Sequence, residues 1–374
     1  MTKTPRFIDI HLLQTLPYSN INRDDLGSPK SVTYGGANRT RVSSQSWKRA
    51  VRLAVEQALG DPAARTRRIP EQVAQRLVAR GWPSELATAG GQQVVLSAGK
   101  GLKVEDDGVT SVLLYLPVSA LDELADVAAE HREKIAAEAG KKKPPAVLPA
   151  ARIADVLSRR NGVINLFGRM LAELPGAEVD GAVQVAHAFT THSTSAEVDF
   201  FTAVDDLNPE EMRGSGHMNS AEFSAGVFYR YASVDITGLQ ENLADTASAA
   251  ELTRVFLTSF ISALPTGKQN STAANTIPDL AYLAVRADRP VSLAPAFEAP
   301  VRLTAEGGYA ARSRDVLASY AQRLHTLWGE EGVVRHAHAG IDAKQLSGLG
   351  GMDNSYADLI KNAVAAAFSS GSGE

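Results

Sequence analysis

The sequence has no cysteine, so disulfide bridges and cysteine-ligated zinc are excluded. Long apolar runs are missing as well. No stretch reaches the roughly 18 to 20 residues that a membrane-spanning helix needs. The N-terminal segment, MTKTPRFIDIHLLQTLPYSN, has too short an apolar run for a signal peptide and is interrupted by Asp9 and His11. A soluble, cytoplasmic protein with no membrane partner is therefore expected. A large excess of one charge is also absent: 38 Lys and Arg oppose 42 Asp and Glu, for a net charge of −4. That balance does not advertise nucleic-acid binding, so any such binding has to come from local basic patches. The 374 residues, 44% hydrophobic, can build one large domain or a few small ones. No internal repeat is evident.

One such patch is present. From Asn22 to Arg52 the chain reads NRDDLGSPKSVTYGGANRTRVSSQSWKRAVR, setting Arg23, Lys30, Arg39, Arg41, Lys48, Arg49 and Arg52 against only Asp24 and Asp25. A glycine turn (Gly35-Gly36) leads to a short basic segment, a Ser43-Ser44 cap and the start of a helix. Helix N-termini offer unpaired N–H groups and the positive end of a dipole, which suits phosphate. Ser43 and Ser44 can cap or donate hydroxyls, and Lys48 and Arg52 stand one turn apart on one helix face. The chemistry suggested is grip on a phosphate backbone; the alternative is a solvated basic face with ordinary capping.

Periodicity sets the framework. Phe7 to Leu13 reads as a strand, and Trp47, Ala50, Val51, Ala54, Val55 and Ala58 give a helix from about Ser44 to Leu59, ended by Gly60-Asp61-Pro62. The region 61–178 differs in character, with a helix from Glu71 to Arg80, turns around Gly90 and Gly99, a short hairpin and an alanine-rich helix from Ser119 to Ala139. Lys141-Lys142-Lys143-Pro144-Pro145 reads as a breaker or exposed linker. Strands follow at Ala182–Thr191 and Gly226–Ile236, then a helical stripe from Leu252 to Ala263 and a strand from Leu280 to Ala287. With 61–178 set aside, the order is strand, helix, strand, strand, helix, strand. That is the α+β order of ferredoxin-like folds and of the RNA-recognition motif. The connection His192 to Ser224 is too long for an ordinary hairpin loop. It carries Phe200 and Phe201, which either pack in the core or serve as an exposed aromatic pair.

Other chemistry is thin. Asp24 and Asp25 could be nuclease metal ligands, or could orient Arg23 and cap a turn; the neighbourhood lacks further convergent carboxylates. His187 and His192, in or just after a strand, and His336 and His338, in a polar C-terminal loop, have no partner ligands at recognisable spacing and are expected to be structural or surface residues. SAGKGLK around Lys100 lacks the GxxxxGK[ST] arrangement of a phosphate loop, and no GxSxG motif occurs. No cofactor and no metal are expected.

NRDD, the YGG turn and RVSSQSWKRA, followed in order by VDGAVQVAHAFTTH, VDFFTAVDD, EFSAGVFYRYASVDI, LQENL and PTGKQNS, resemble the CasC family, the repeated backbone subunit of the type I-E CRISPR surveillance complex Cascade. The resemblance covers Met1 to about Leu59 and Val179 to about Ala287. It implies a palm of ferredoxin-like type in pieces 1–60, 179–191 and 225–300, a mainly helical fingers insertion at 61–178 and a β-hairpin thumb at 192–224. C-terminal helices at 301–364 would pack on the palm, followed by a frayed tail at 365–374. The function implied is non-catalytic. Copies of the chain would assemble head-to-tail along CRISPR RNA, beside other Cascade subunits, and present it to a target DNA strand. The implied RNA-binding set is Asn22, Arg23, Lys30, Arg41, Ser43, Ser44, Gln45, Lys48, Arg49, Arg52 and Lys268. Phe200, Phe201 and Met170 would supply apolar contacts to bases, and Lys141, Lys142 and Lys143 could attract duplex DNA. Related type III subunits cut RNA with an acidic residue in a comparable loop, so a metal-dependent endoribonuclease with Asp25 as key carboxylate is the competing reading. A free-standing single-stranded RNA binder is a third.

Overall fold

The computed structural model describes residues 4–99, 101–204, 215–342 and 344–369, and the side chains of 203–204 and 215–218 are outside that description. In chain order the elements are β1 (Phe7–Ser19), β2 (Ser31–Tyr34), β3 (Ala37–Val42), α1 (Ser44–Leu59), β4 (Ala63–Thr66), α2 (Ile69–Ala79), α3 (Ser84–Ser97), β5 (Leu114–Pro117), α4 (Val118–Glu130), α5 (Arg132–Glu138), α6 (Ala150–Leu157) and α7 (Gly162–Phe167). There follow β6 (Val183–Val185), β7 (Ala188–Thr190), β8 (Glu197–Val204), β9 (Ser215–Asp235), α8 (Ile236–Leu243), α9 (Thr246–Ser262), α10 (Gln269–Thr272), β10 (Leu280–Arg286), α11 (Ala310–Trp328), β11 (Val333–Gly340), β12 (Gly351–Met352) and α12 (Tyr356–Phe368). The chain divides into two compact units, 1–54 with 183–374, and 55–182.

The larger unit is built on a sheet of order β12-β11-β10-β1-β9-β7-β3-β2, with β6 and β8 also pairing β9. All pairings are antiparallel except β11 with β12. The central strands are covered on both faces, which is why β10 (LAYLAVR) is buried at every position and β1 at most. On one face Leu13, Tyr229, Tyr282, Leu293, Phe297 and Leu317 form a core beneath α11. Asp9 and His11, which break the apolar run of β1 in the sequence, are themselves fully buried: Asp9 pairs with Arg286 at 2.8 Å and accepts the Tyr231 hydroxyl at 2.9 Å.

The smaller unit is mainly helical, with a core of Ile69, Val73, Leu77, Val94, Leu121 and Leu124, among others. Two expectations are corrected here. Gly90 is not in a turn but inside α3; with Gly91 it lets that helix close on Leu77 and on the Pro70 carbonyl, where a Cβ would collide. The expected short hairpin is present over Lys103–Ser111, where Val104 bridges Thr110, and a further two-stranded pairing joins β4 to the distant β5. The alanine-rich helix is also interrupted, at His131, whose Nδ1 meets the Val127 carbonyl at 3.0 Å.

Further corrections fall in the larger unit. The strand expected over Ala182–Thr191 is two short strands, β6 and β7. His336 and His338 lie in a strand, β11, and not in a loop, so residues 301–364 supply sheet as well as helices. Helix α12 continues through Ala365 to Phe368 of the expected tail. Lys100, residues 205–214 of the long excursion and the tail beyond residue 369 lie outside the described residues.

Candidate nucleic-acid interface

The basic loop is held by its own polar atoms. Asn22 Oδ1 accepts the Ser43 amide at 2.8 Å, while the amide of Lys30 donates to the Asn22 carbonyl and that of Arg41 to the Lys30 carbonyl. Asp24 closes the turn between, its Oδ1 accepting from the amides of Leu26 (3.0 Å) and Ser28 (2.9 Å). Asn20, buried, donates to the carbonyls of Gly27 and Glu222 and so ties the turn to β9.

The first turn of α1 differs from expectation. Ser43 caps it, its Oγ accepting the Ser46 amide at 3.3 Å. The Ser44 amide donates to His187 Nδ1 at 3.0 Å, and Arg41 Nη1 lies 3.2 Å from the same nitrogen. Side chains therefore already occupy the amides of Ser43, Ser44 and Ser46, so a ligand at this end would meet the dipole and the basic side chains more than bare N–H groups. His187 accepts at Nδ1, which places its proton on Nε2. Desolvation first, then the charges of Arg41 and Lys30, hold its pKa below the ordinary histidine range. Sequence reasoning placed His187 among structural or surface histidines, and the structural role is the one found; no spacing signal links it to Ser44.

Around this end Arg23, Gln45 and Arg49 are exposed, and Lys30, Arg41, Lys48 and Arg52 are half-buried. Lys268 joins them. It starts the short helix α10 with a left-handed φ of 53°, and the preceding Gly267 sits so close to the Ile21 carbonyl that a Cβ would collide. Its loop therefore rests one residue from Asn22. Arg39, counted in the charge run, is withdrawn from the surface: it is fully buried and donates to the carbonyls of Thr190, Phe297 and Glu298.

The hairpin of β8 and β9 pairs Phe200 with Ser220 and Phe201 with Asn219. Both rings are outside the core, Phe200 73% and Phe201 45% exposed, and as neighbours on a strand they face opposite sides. At the hairpin's base Tyr18 stacks on Phe223 with ring centres 4.7 Å apart. The remaining sequence candidates belong to the other unit. Met170 is 90% exposed and borders a depression of about 610 Å³ with Arg65 and Phe167. The adjacent Arg169 is buried and donates to carbonyls including those of Ala177 and Ser158. Lys141, Lys142 and Lys143 are exposed, Lys141 pairing with Glu138 at 2.6 Å.

The histidines separate by role. His192 stacks on Tyr309 at 3.6 Å and accepts the Val227 amide. His338 meets the carbonyls of Leu349 and Lys344. His336, expected to lack partner ligands, lies in a group with His325 and Glu330. Asp24 and Asp25 belong to no comparable group among the described residues. No described helix is long and apolar enough to cross a membrane.

These features define a mixed α+β protein whose large, mostly antiparallel sheet carries a basic loop at one edge and an exposed aromatic hairpin. The chain belongs to the CT1975-like protein family (Cas_CT1975), whose model matches residues 8–362. It is similar to a chain of a structure described as "CRISPR RNA-guided surveillance complex, pre-nicking", at 56% identity and a TM-score of 0.92, over 97% of this chain and 100% of that one. It is also similar to a chain of a "CRISPR RNA-guided surveillance complex", at 49% identity and a TM-score of 0.81, over 96% of this chain and 99% of that one. No curated protein matches it.

Proposed function

We propose that this chain is a CasC-type backbone subunit of a CRISPR RNA-guided surveillance complex of the type I-E kind, a non-catalytic protein that repeats along the guide RNA. The observation that carries the reading is likeness along nearly its whole length, at 56% identity, to a chain of a complex so described. The sheet supports a ferredoxin-like palm: β10, β1, β9 and β7 lie side by side, the four-one-three-two order of that fold, with α1 and α9 as the two connecting helices. The helical unit would then be the fingers and the β8–β9 hairpin the thumb.

Grip comes from the side chains around the start of α1, with Lys268 beside them. Contacts of this kind go to phosphates and sugars, so they fix position without reading sequence. Guide bases remain available to pair with a target DNA strand, and specificity is delegated to that pairing. Head-to-tail contacts between copies are heterologous and do not close a ring, so RNA length and other subunits end the assembly. Asp24 is engaged in holding its turn, the structural role that the scaffold reading gives it.

Purification of the tagged chain from its host, with sequencing of bound RNA and sizing of the complex, tests this reading. Short guide RNAs of varied central sequence in a multi-copy assembly are expected. RNA cleavage in magnesium that disappears in Asp25→Ala would replace the scaffold by the nuclease, and a one-to-one RNA complex would replace it by the free-standing binder.

A further inference from the structure

At the C-terminal end of α11, three side chains converge from separate places in the sequence. His325 comes from the last turn of the helix, Glu330 from the connection that follows and His336 from β11. One ligand atom from each lies within 4.8 Å of the other two. An ion could therefore sit within about 2.8 Å of all three, about 0.7 Å beyond an ordinary zinc–nitrogen bond. The Glu330 side chain is largely exposed, and its Oε1 faces the buried His325.

The two rings already stand as ligands would. They meet edge to face with centres 5.0 Å apart. His325 is buried, its Nδ1 is 3.6 Å from Glu330 Oε1, and its Nε2 makes no hydrogen bond. His336 Nδ1 meets the hydroxyl of the fully buried Tyr282 at 3.2 Å, the kind of outer contact that orients metal-bound imidazoles. Arg286 lies near both rings. The Arg286 charge is itself answered by Asp9 at 2.8 Å, which leaves Glu330 as the anion of the group.

We propose that His325, Glu330 and His336 form a three-ligand site for a divalent transition metal, Zn²⁺ in the first instance, with its fourth position open. Two imidazoles and one carboxylate are a donor set zinc accepts, whereas magnesium and calcium select oxygen. Bound there, the ion ties the end of α11 to β11 and fixes the turn between them, beside the exposed Leu327 and Trp328. Of the three, His325 also lines a surface cavity of about 510 Å³ with Trp328, Arg286 and Ser292. The site acts as a structural clip and does not depend on the RNA-binding reading.

The test uses the purified full-length chain, stripped with a chelator and titrated with Zn²⁺ against a chromophoric competitor, with thermal melts in the presence and absence of the ion. One bound equivalent and a raised melting temperature are expected. Glu330→Gln, at an exposed position, and His336→Gln should each weaken binding by more than about tenfold and abolish the thermal shift. X-ray absorption at the zinc edge of the wild-type protein should report two imidazole nitrogens, a readout that stands even if the His336 variant fails to fold. Absence of stoichiometric binding, or binding unchanged in the folded Glu330→Gln protein, overturns the proposal.

Discussion

The guanidinium carbon of Arg230 lies 3.6 Å from the centre of the Trp47 ring, and both residues are almost completely buried. Phe260 covers the same guanidinium at 4.7 Å, and Arg230 donates to Gln14 Oε1 at 2.6 Å and to the Phe260 carbonyl. Among the described residues no carboxylate pairs with this charge. Its stabilisation rests on two aromatic faces and two neutral oxygens, which couples α1, through Trp47, to β9. Removing it in Arg230→Ala should cost about 3 kcal/mol, from a desolvated cation–π contact and the bonds lost with it. Arg230→Met, which refills the space without a charge to desolvate, should cost clearly less. Denaturant midpoints of the two variants check the order; equal losses would assign the role to the charge and not to the packing.

The basic side chains that α1 carries are read by salt. Replacing Lys48 and Arg52 together by alanine should weaken binding to RNAs of unrelated sequence by a similar factor. Each lost phosphate contact lowers the salt slope by about 0.7 for single strands, so the double variant should lose about 1.4. Both side chains have other contacts within the chain, so a melt of the RNA-free variant accompanies the measurement. A loss confined to one RNA sequence would contradict backbone contact.

Phe201, 45% exposed on the β8–β9 hairpin, is a surface residue before any partner binds. Its truncation therefore lacks the cost of about 3–5 kcal/mol that a core phenylalanine would carry. If it inserts between nucleotides, Phe201→Ala should lose about 1–3 kcal/mol per stacked base. A near-normal melting temperature with poor assembly on RNA is the expected pair of results. Phe200→Ala, on the opposite face, is the matched comparison; equal loss from both would deny the wedge a preferred side.

How far the sequence could be read depended on whether local pattern or distant contact decided the outcome. Helix α1 was legible from Ser44 to Leu59 because its apolar stripe and the Gly60 stop are local signals. The core of β9 and all of β10 were legible for the same reason, their β-branched and aromatic residues marking strands. Gly90-Gly91 misled because their meaning is the close approach of α3 to Pro70 and Leu77, which composition does not reveal. The histidines and Arg335 of β11 made a strand look like a polar loop, since their partners, Tyr282 and Asp353 among them, lie elsewhere in the chain. At the candidate interface, charge density pointed to Lys30, Arg41 and Lys48, which lie half-buried at the surface. It could not tell that Arg39 turns inward or that His187 reaches the start of α1.

Acid should loosen the fold through its histidines. His11, fully buried, has its pKa pushed well down, by desolvation first and then by Arg286 and His325. His187, His192, His325 and His336 are lowered too, desolvation leading in each case. In the unfolded chain these rings titrate near about 6.5. Above that value both states are neutral and the folded state keeps its full stability. As the pH falls below about 6.5 the unfolded chain takes up protons that the folded chain refuses, so stability declines until the folded pKa values are passed. His11 is the ring to isolate: its Nδ1 meets the Tyr229 hydroxyl at 2.8 Å, and it stacks against Tyr231 and Tyr282 with centres 4.9 and 5.3 Å away. His11→Phe preserves the stacking and removes the titration, while the Tyr229 oxygen still accepts the Leu293 amide at 3.0 Å. Melting temperatures measured between about pH 8 and about pH 5 should fall on the acid side in the wild type and fall less steeply in His11→Phe. A wild-type protein that gains stability over that descent would place the folded pKa values above 6.5 and refute the assignment.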